Sequence, residues 1–173
     1  KYFTQQIQEK ILKGEVAATK KDEAEGIRFL KGIYSATLLS HMVYSGTSGV
    51  PENINDVNSI VQNIRMPREV VTGKTGLCIE LSLLYASIMA NAGMDPIIYL
   101  VPGHAYPGFK MNDQYYAIES TAIGGEGIGG SKTADEAFQM AMNNKDEFLL
   151  KLKEGDERYS VIDIREYIKM GAV

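Results

Sequence analysis

One helix governs what this chain can become. Between Leu77 and Ala92, Leu77, Leu81, Leu84, Tyr85, Ile88, Met89 and Ala92 recur at three- and four-residue intervals, and apolar residues nearly surround the axis. A helix apolar on most sides belongs at the centre of a domain, covered by other elements on more than one face. Gly93 supplies a left-handed C-terminal cap for it. The chain has 173 residues, 45% of them apolar, and a chain of that length buries roughly 70% of its unfolded surface. That suffices for one core without disulfides or a structural metal. Residues 1–173 are therefore expected to form one domain, with a helical part over 1–50 and the core over 51–173.

The covering elements can be read on either side. Phe3, Ile7, Ile11 and Leu12 fall at helical spacing up to Gly14. A longer helix, capped by Asp22 or a neighbour, carries the stripe Ile27, Leu30, Ile33, Tyr34, Leu38 and Val43, and His41 inside that stripe reads as a packing residue. Gly46 to Pro51 breaks the pattern. Ile54, Val57, Ile60, Val61 and Ile64 resume it until Met66-Pro67, because the residue before a proline avoids helical geometry. After Asp95-Pro96, the run Ile97 to Val101 has strand length, and His104 to Phe109 and Tyr115 to Ser120 form two more strands about a short turn at Met111-Asn112-Asp113. A glycine-rich loop from Gly124 to Gly130 precedes a helix opened by Thr133, with Glu136 completing a capping box. A strand over Tyr159 to Ile164 and a helix over Arg165 to Met170 close the chain. Helices, a buried helix, antiparallel strands, then helix and strand make the fold class α+β rather than a βαβ alternation.

Charge and cysteine content exclude several functions. Eighteen basic against 22 acidic residues give a net charge of −4, with the signs interspersed, so nucleic acid is not the expected partner. No apolar run is long enough for a membrane span. The chain begins at Lys1 without an initiator Met or a signal-peptide core, which fits removal of a leader or of a larger parent upstream, and the compartment is left open. A single cysteine, Cys78, precludes an internal disulfide, a Cys-rich zinc site and an iron–sulfur cluster. A Cys78/His104 metal site lacks a further ligand, so neither metal nor cofactor is expected.

Chemistry is expected instead around Cys78, His104 and Glu119. Cys78 opens the buried helix after a glycine-containing turn, where unpaired backbone N–H groups and the positive end of the helix dipole stabilise a thiolate. The alternative is a small buried hydrophobe. His104, in Pro102-Gly103-His104-Ala105-Tyr106-Pro107, starts a strand among small residues and can present its imidazole to a helix N-terminus. Strand alternation groups Tyr115, Ala117 and Glu119 on one face, and the hairpin brings Glu119 beside His104, where a carboxylate fixes the imidazole tautomer.

The stretch Gly76-Leu77-Cys78-Ile79-Glu80-Leu81-Ser82-Leu83-Leu84-Tyr85-Ala86-Ser87, then Ala92-Gly93-Met94, Gly103-His104-Ala105 and Tyr116-Ala117-Ile118-Glu119-Ser120-Thr121, resembles the core of the bacterial transglutaminase-like superfamily, which belongs with the papain-like cysteine fold. The resemblance is strong over 65–121, extends more weakly to Tyr159-Ser160-Val161-Ile162-Asp163-Ile164-Arg165, and covers the N-terminal helices poorly. It implies a central helix carrying the cysteine against an antiparallel sheet, with additional N-terminal helices. It further implies Cys78 as nucleophile, His104 as general base and acid, and Glu119 as the residue orienting His104. The family more often has Asp in that third position, which leaves Ser120 or Asp113 as fallback. In related modules a Gln precedes an Arg-x-Pro segment, and Gln62 in Val61-Gln62-Asn63-Ile64-Arg65-Met66-Pro67 would correspondingly face the oxyanion; an exposed helix glutamine is the other reading. Hydrolysis of a peptide or protein substrate is implied more often than cross-linking.

Two other classes compete. A non-catalytic interaction or regulatory module would retain the fold without using the thiol. Gly125-Glu126-Gly127-Ile128-Gly129-Gly130 nominally satisfies a dinucleotide fingerprint, but it follows an antiparallel hairpin and too little chain remains for the parallel strands that such a fold needs. Gly130-Ser131-Lys132-Thr133 misplaces the lysine of a phosphate loop by one residue.

Overall fold

The computed structural model describes residues 22–44, 67, 69–70, 75–76, 78–124 and 130–169. In chain order the described elements are α1 (Glu23–Leu39), β1 (Val43–Tyr44), β2 (Thr75–Gly76), α2 (Cys78–Asn91), β3 (Pro96–Val101), β4 (His104–Met111), β5 (Gln114–Ala117), a 3-10 helix (Ser120–Ile123), α3 (Ala134–Lys153), β6 (Ser160–Asp163) and α4 (Ile164–Lys169). Four strands form an antiparallel sheet in the order β5-β4-β3-β6, and β1 and β2 pair in parallel as a separate ribbon. The class is α+β. The sequence readings over residues 1–14 and 53–64 lie outside the described residues; Pro67, Glu69 and Val70 are helical.

The apolar run in β3 exists because this strand is covered on both sides. Ile98 and Leu100 enter the core with α2, whereas Ile97 and Tyr99 face a second cluster with Tyr106, Ala117, Ala141 and Phe148 under α3. α2 is buried nearly all round, with Ile79, Leu81, Leu84, Tyr85, Ile88 and Met89 in the core, as its apolar girth requires. α3 fully buries only Ala137, Ala141 and Phe148, with Ala134, Phe138 and Leu149 half-buried against the two clusters. In the second cluster Tyr99 stacks on Tyr106 at 4.9 Å and meets Phe148 edge-on at 5.0 Å, geometries worth about 0.5–1.5 kcal/mol per pair beyond buried area. The Tyr99 hydroxyl donates to the Tyr116 carbonyl at 2.9 Å. Gly108 makes this crossing possible: a Cβ there would collide with the Tyr116 carbonyl and lie 2.7 Å from the Tyr99 ring.

Caps explain the helix ends. Asp22 accepts from the N–H groups of Ala24 and Glu25, and Thr133 and Glu136 form the expected reciprocal capping box. Gly93, at φ 82, closes α2 with Gly93 N–H on Ala90 and Met94 N–H on Met89. The longer expectation for α1 is corrected: it stops at Leu39. His41 takes the left-handed place at φ 57, His41 N–H reaches the Leu38 carbonyl and Met42 N–H the Thr37 carbonyl, each at 3.0 Å. This is the same closure as at Gly93, made without a glycine, so no sequence signal marks it. His41 is exposed rather than a packing residue, and Val43 is 43% exposed in β1 rather than in a helical stripe.

Candidate active site

Three elements bring the cysteine, histidine and acid together. Cys78 is the first residue of α2, and Leu77 before it carries no side-chain acceptor with which to cap that helix start. The Cys78 side chain is almost fully buried, and its carbonyl accepts from the Ser82 hydroxyl one turn on, at 2.8 Å. His104 opens β4 opposite Val101, and the two residues between them form a turn with Gly103 at φ 73. Beyond its chain neighbours, Gly103 has nothing within 4 Å of the place a Cβ would occupy.

Glu119 departs from its expected place. β5 ends at Ala117, not Ser120. The reason lies in the partner strand: Ile118 N–H still donates to the Pro107 carbonyl at 3.0 Å, but Pro107 has no N–H to return and the ladder stops. Glu119 instead caps the 3-10 helix over Ser120–Ile123, accepting from the Thr121 hydroxyl at 2.8 Å and from its N–H at 3.4 Å. The backbone N–H of Glu119 is tied to the Ala137 carbonyl of α3 at 3.1 Å.

From this seat both carboxylate oxygens of Glu119 lie 2.9 Å from His104 Nε2. Nδ1 is then the ring nitrogen left for another partner, and Cys78 is among the groups that act on the imidazole. The side chains of His104 and Glu119 are 29% and 16% exposed. Burial opposes charge on the imidazole, but hydrogen bonds to Cys78 and Glu119 and the charges of both outweigh it, raising His104 from its ordinary 6.5 to about 10. Tyr106 lies 6.0 Å from the His104 ring, and burial, aided by the Glu119 charge, pushes its phenol upward.

The structure thus gathers Cys78, His104 and Glu119. It places Asp113 in the exposed hairpin turn, at φ 62 and at the far end of β4 from His104, and it buries Ser120 beside Glu119. Neither fallback replaces Glu119. Gln62 lies outside the described residues, as do residues 125–129 of the glycine loop. The described four-stranded sheet is antiparallel, not the parallel sheet of a dinucleotide-binding fold. The contribution of Thr121 lies beyond the sequence reading of the site; a hydroxyl two residues past an acid that precedes a helical turn is the available signal. Among the described residues no group of three or more His, Cys, Asp or Glu side chains could hold a metal, and no helix is long and apolar enough to cross a membrane.

No family model matches this chain, and no curated protein matches it. A search of solved structures finds a crystal structure of a TGase at 16% identity and a TM-score of 0.39, covering 76% of this chain and 33% of that one. This chain therefore spans about a third of that protein's length. The functional reading stands on the geometry of the site.

Proposed function

We propose that this protein is a thiol enzyme of transglutaminase-like, papain-like type that transfers an acyl group from a peptide or carboxamide, with hydrolysis as the favoured outcome. The observation that carries the reading is the pairing of His104 with Glu119, Nε2 held by both carboxylate oxygens at 2.9 Å, with Cys78 among the groups that act on the same imidazole. Glu119 fixes the ring so that the other nitrogen faces sulfur. Cys78 as thiolate attacks the carbonyl carbon while His104 carries the proton. As the C–N bond breaks, that proton passes to the leaving amine and a thioester remains. Water, or an amine, then attacks the thioester, His104 accepts its proton, and the sulfur leaves with its electron pair. The Cys78 backbone N–H at the start of α2 is proposed as one oxyanion donor, and Gln62 as the side-chain donor.

A second reading is favoured by one fact: Cys78 is only 1% exposed. A non-catalytic interaction module would leave the thiol as a core atom. Alkylation by iodoacetamide separates the two. An enzyme thiol paired with His104 reacts at about pH 6, where a free thiol titrating near 8.5 is almost wholly protonated, and His104→Ala abolishes that reactivity. A thiol inert until the protein is denatured supports the interaction module instead.

A further inference from the structure

The carboxylate of Glu119 is held from two directions. Both of its oxygens lie 2.9 Å from His104 Nε2, and from the other direction the Thr121 hydroxyl donates to Oε1 at 2.8 Å while the Thr121 N–H reaches the same oxygen at 3.4 Å. The main chain around this turn is fixed by bonds of its own. Glu119 N–H donates to the Ala137 carbonyl at 3.1 Å, Ala122 N–H to the Glu119 carbonyl at 3.2 Å, and Lys132 N–H to the Ala122 carbonyl at 2.8 Å. Those bonds seat the backbone, but a glutamate side chain still has its own torsions to settle, and the terminal one, which turns the carboxylate plane, is broad. Capping of the 3-10 helix does not call for the Thr121 hydroxyl, because what a helix start leaves unpaired is backbone N–H groups, and the Thr121 N–H already serves there. The hydroxyl makes the shorter of the two bonds, to a carboxylate oxygen that also faces His104, and donation to an ionised acceptor is the stronger kind of hydrogen bond. Thr121 is only 3% exposed, so bulk water has little access to take the place of its hydroxyl.

We propose that Thr121 is a positioning residue for the acid of this site: its hydroxyl pins one oxygen of Glu119 so that the carboxylate plane stays turned toward His104. The proposal rests on the reading of Cys78, His104 and Glu119 given above. Thr121 acts through Glu119 and not on the reacting atoms. Without the hydroxyl, the carboxylate turns about its last torsion, the imidazole loses its fixed orientation, and the ring is less often in place when Cys78 meets an acyl group.

The test is a double-mutant cycle on the acetylation of Cys78 by p-nitrophenyl acetate in the full chain, read as the rate of the p-nitrophenol burst, with the melting temperature as a control for folding. Thr121→Val keeps the shape of the side chain, removes the hydroxyl and slows the burst by about tenfold, the scale of a modest misplacement of a catalytic group. Thr121→Ser retains the donor and stays within about twofold of the wild-type rate. On a Glu119→Ala background, where no carboxylate is left to position, Thr121→Val slows the residual burst no further. Thr121→Ala, which also lacks the hydroxyl, gives the same pattern and guards against a folding defect peculiar to valine. A folded Thr121→Val protein that reacts at the wild-type rate, or one slowed equally with and without Glu119, would show that the hydroxyl serves only the turn and overturn the proposal. If the wild-type protein forms no acetyl on Cys78, or if Glu119→Ala leaves the burst unchanged, the underlying site reading has failed and this inference falls with it.

Discussion

The chain contains two histidines, and they share little beyond their residue type. His41 closes α1 in a left-handed turn, exposed, its place fixed by backbone bonds of its own and of Met42. His104 opens a strand with its ring on a carboxylate 2.9 Å away, and the hydrogen bonds and charges of Cys78 and Glu119 raise its pKa to about 10. One histidine serves geometry and the other carries charge; the difference comes from neighbours that lie far away in sequence.

The sharpest way to break this comparison is to remove each ring in turn. His104→Ala lowers the rate of Cys78 alkylation at about pH 6 by at least ~100-fold, the scale of lost proton chemistry, whereas His41→Ala leaves it unchanged. Equal effects from the two variants would erase the distinction. Next in size is Glu119→Gln. It keeps the shape and removes the charge, so the His104 midpoint falls by about 1–3 pH units in an NMR titration while that of His41 stays.

What was legible in the sequence follows the same divide between local and distant causes. The capping box at Thr133 and Glu136 and the closure at Gly93 depend on residues close together in the chain, and each is readable there. The end of β5 was not, because it is decided by Pro107 on the neighbouring strand. The end of α1 was missed because a histidine occupies the place where a glycine would have announced it. The parallel pairing of Val43 with Thr75 and Tyr44 with Gly76 joins segments with no shared local signal. At the site, spacing and strand order place Glu119 near His104, but the cap on the 3-10 helix and the Thr121 contacts come from packing that no spacing encodes.

Two smaller effects sharpen the contrast further. His104 is protonated more readily in the folded protein than in the unfolded chain, about 10 against about 6.5. Its contribution to stability is therefore complete below about pH 6.5 and is lost as the pH rises through about 10. Urea midpoints measured between about pH 6 and 9.5, below the ionisation of unfolded tyrosine, fall with rising pH in the wild-type protein and fall less in His104→Gln. At His41 the expected effect is steric rather than electrostatic. His41→Gly places the residue suited to φ 57 there and raises stability by about 0.5–1 kcal/mol, read as a higher urea midpoint without change in the His104 titration.

The most direct measurement of the central claim is formation of an acyl-enzyme. The full chain is mixed with p-nitrophenyl acetate near neutral pH, quenched in acid and weighed intact, with peptide mapping to locate any acetyl group. Cys78 acting as nucleophile with His104 predicts one hydroxylamine-sensitive acetyl on Cys78, formed in a burst with p-nitrophenol release and absent from His104→Ala. A folded protein that releases no burst and carries no acetyl on Cys78, while the same cysteine acylates once unfolded, would contradict the account.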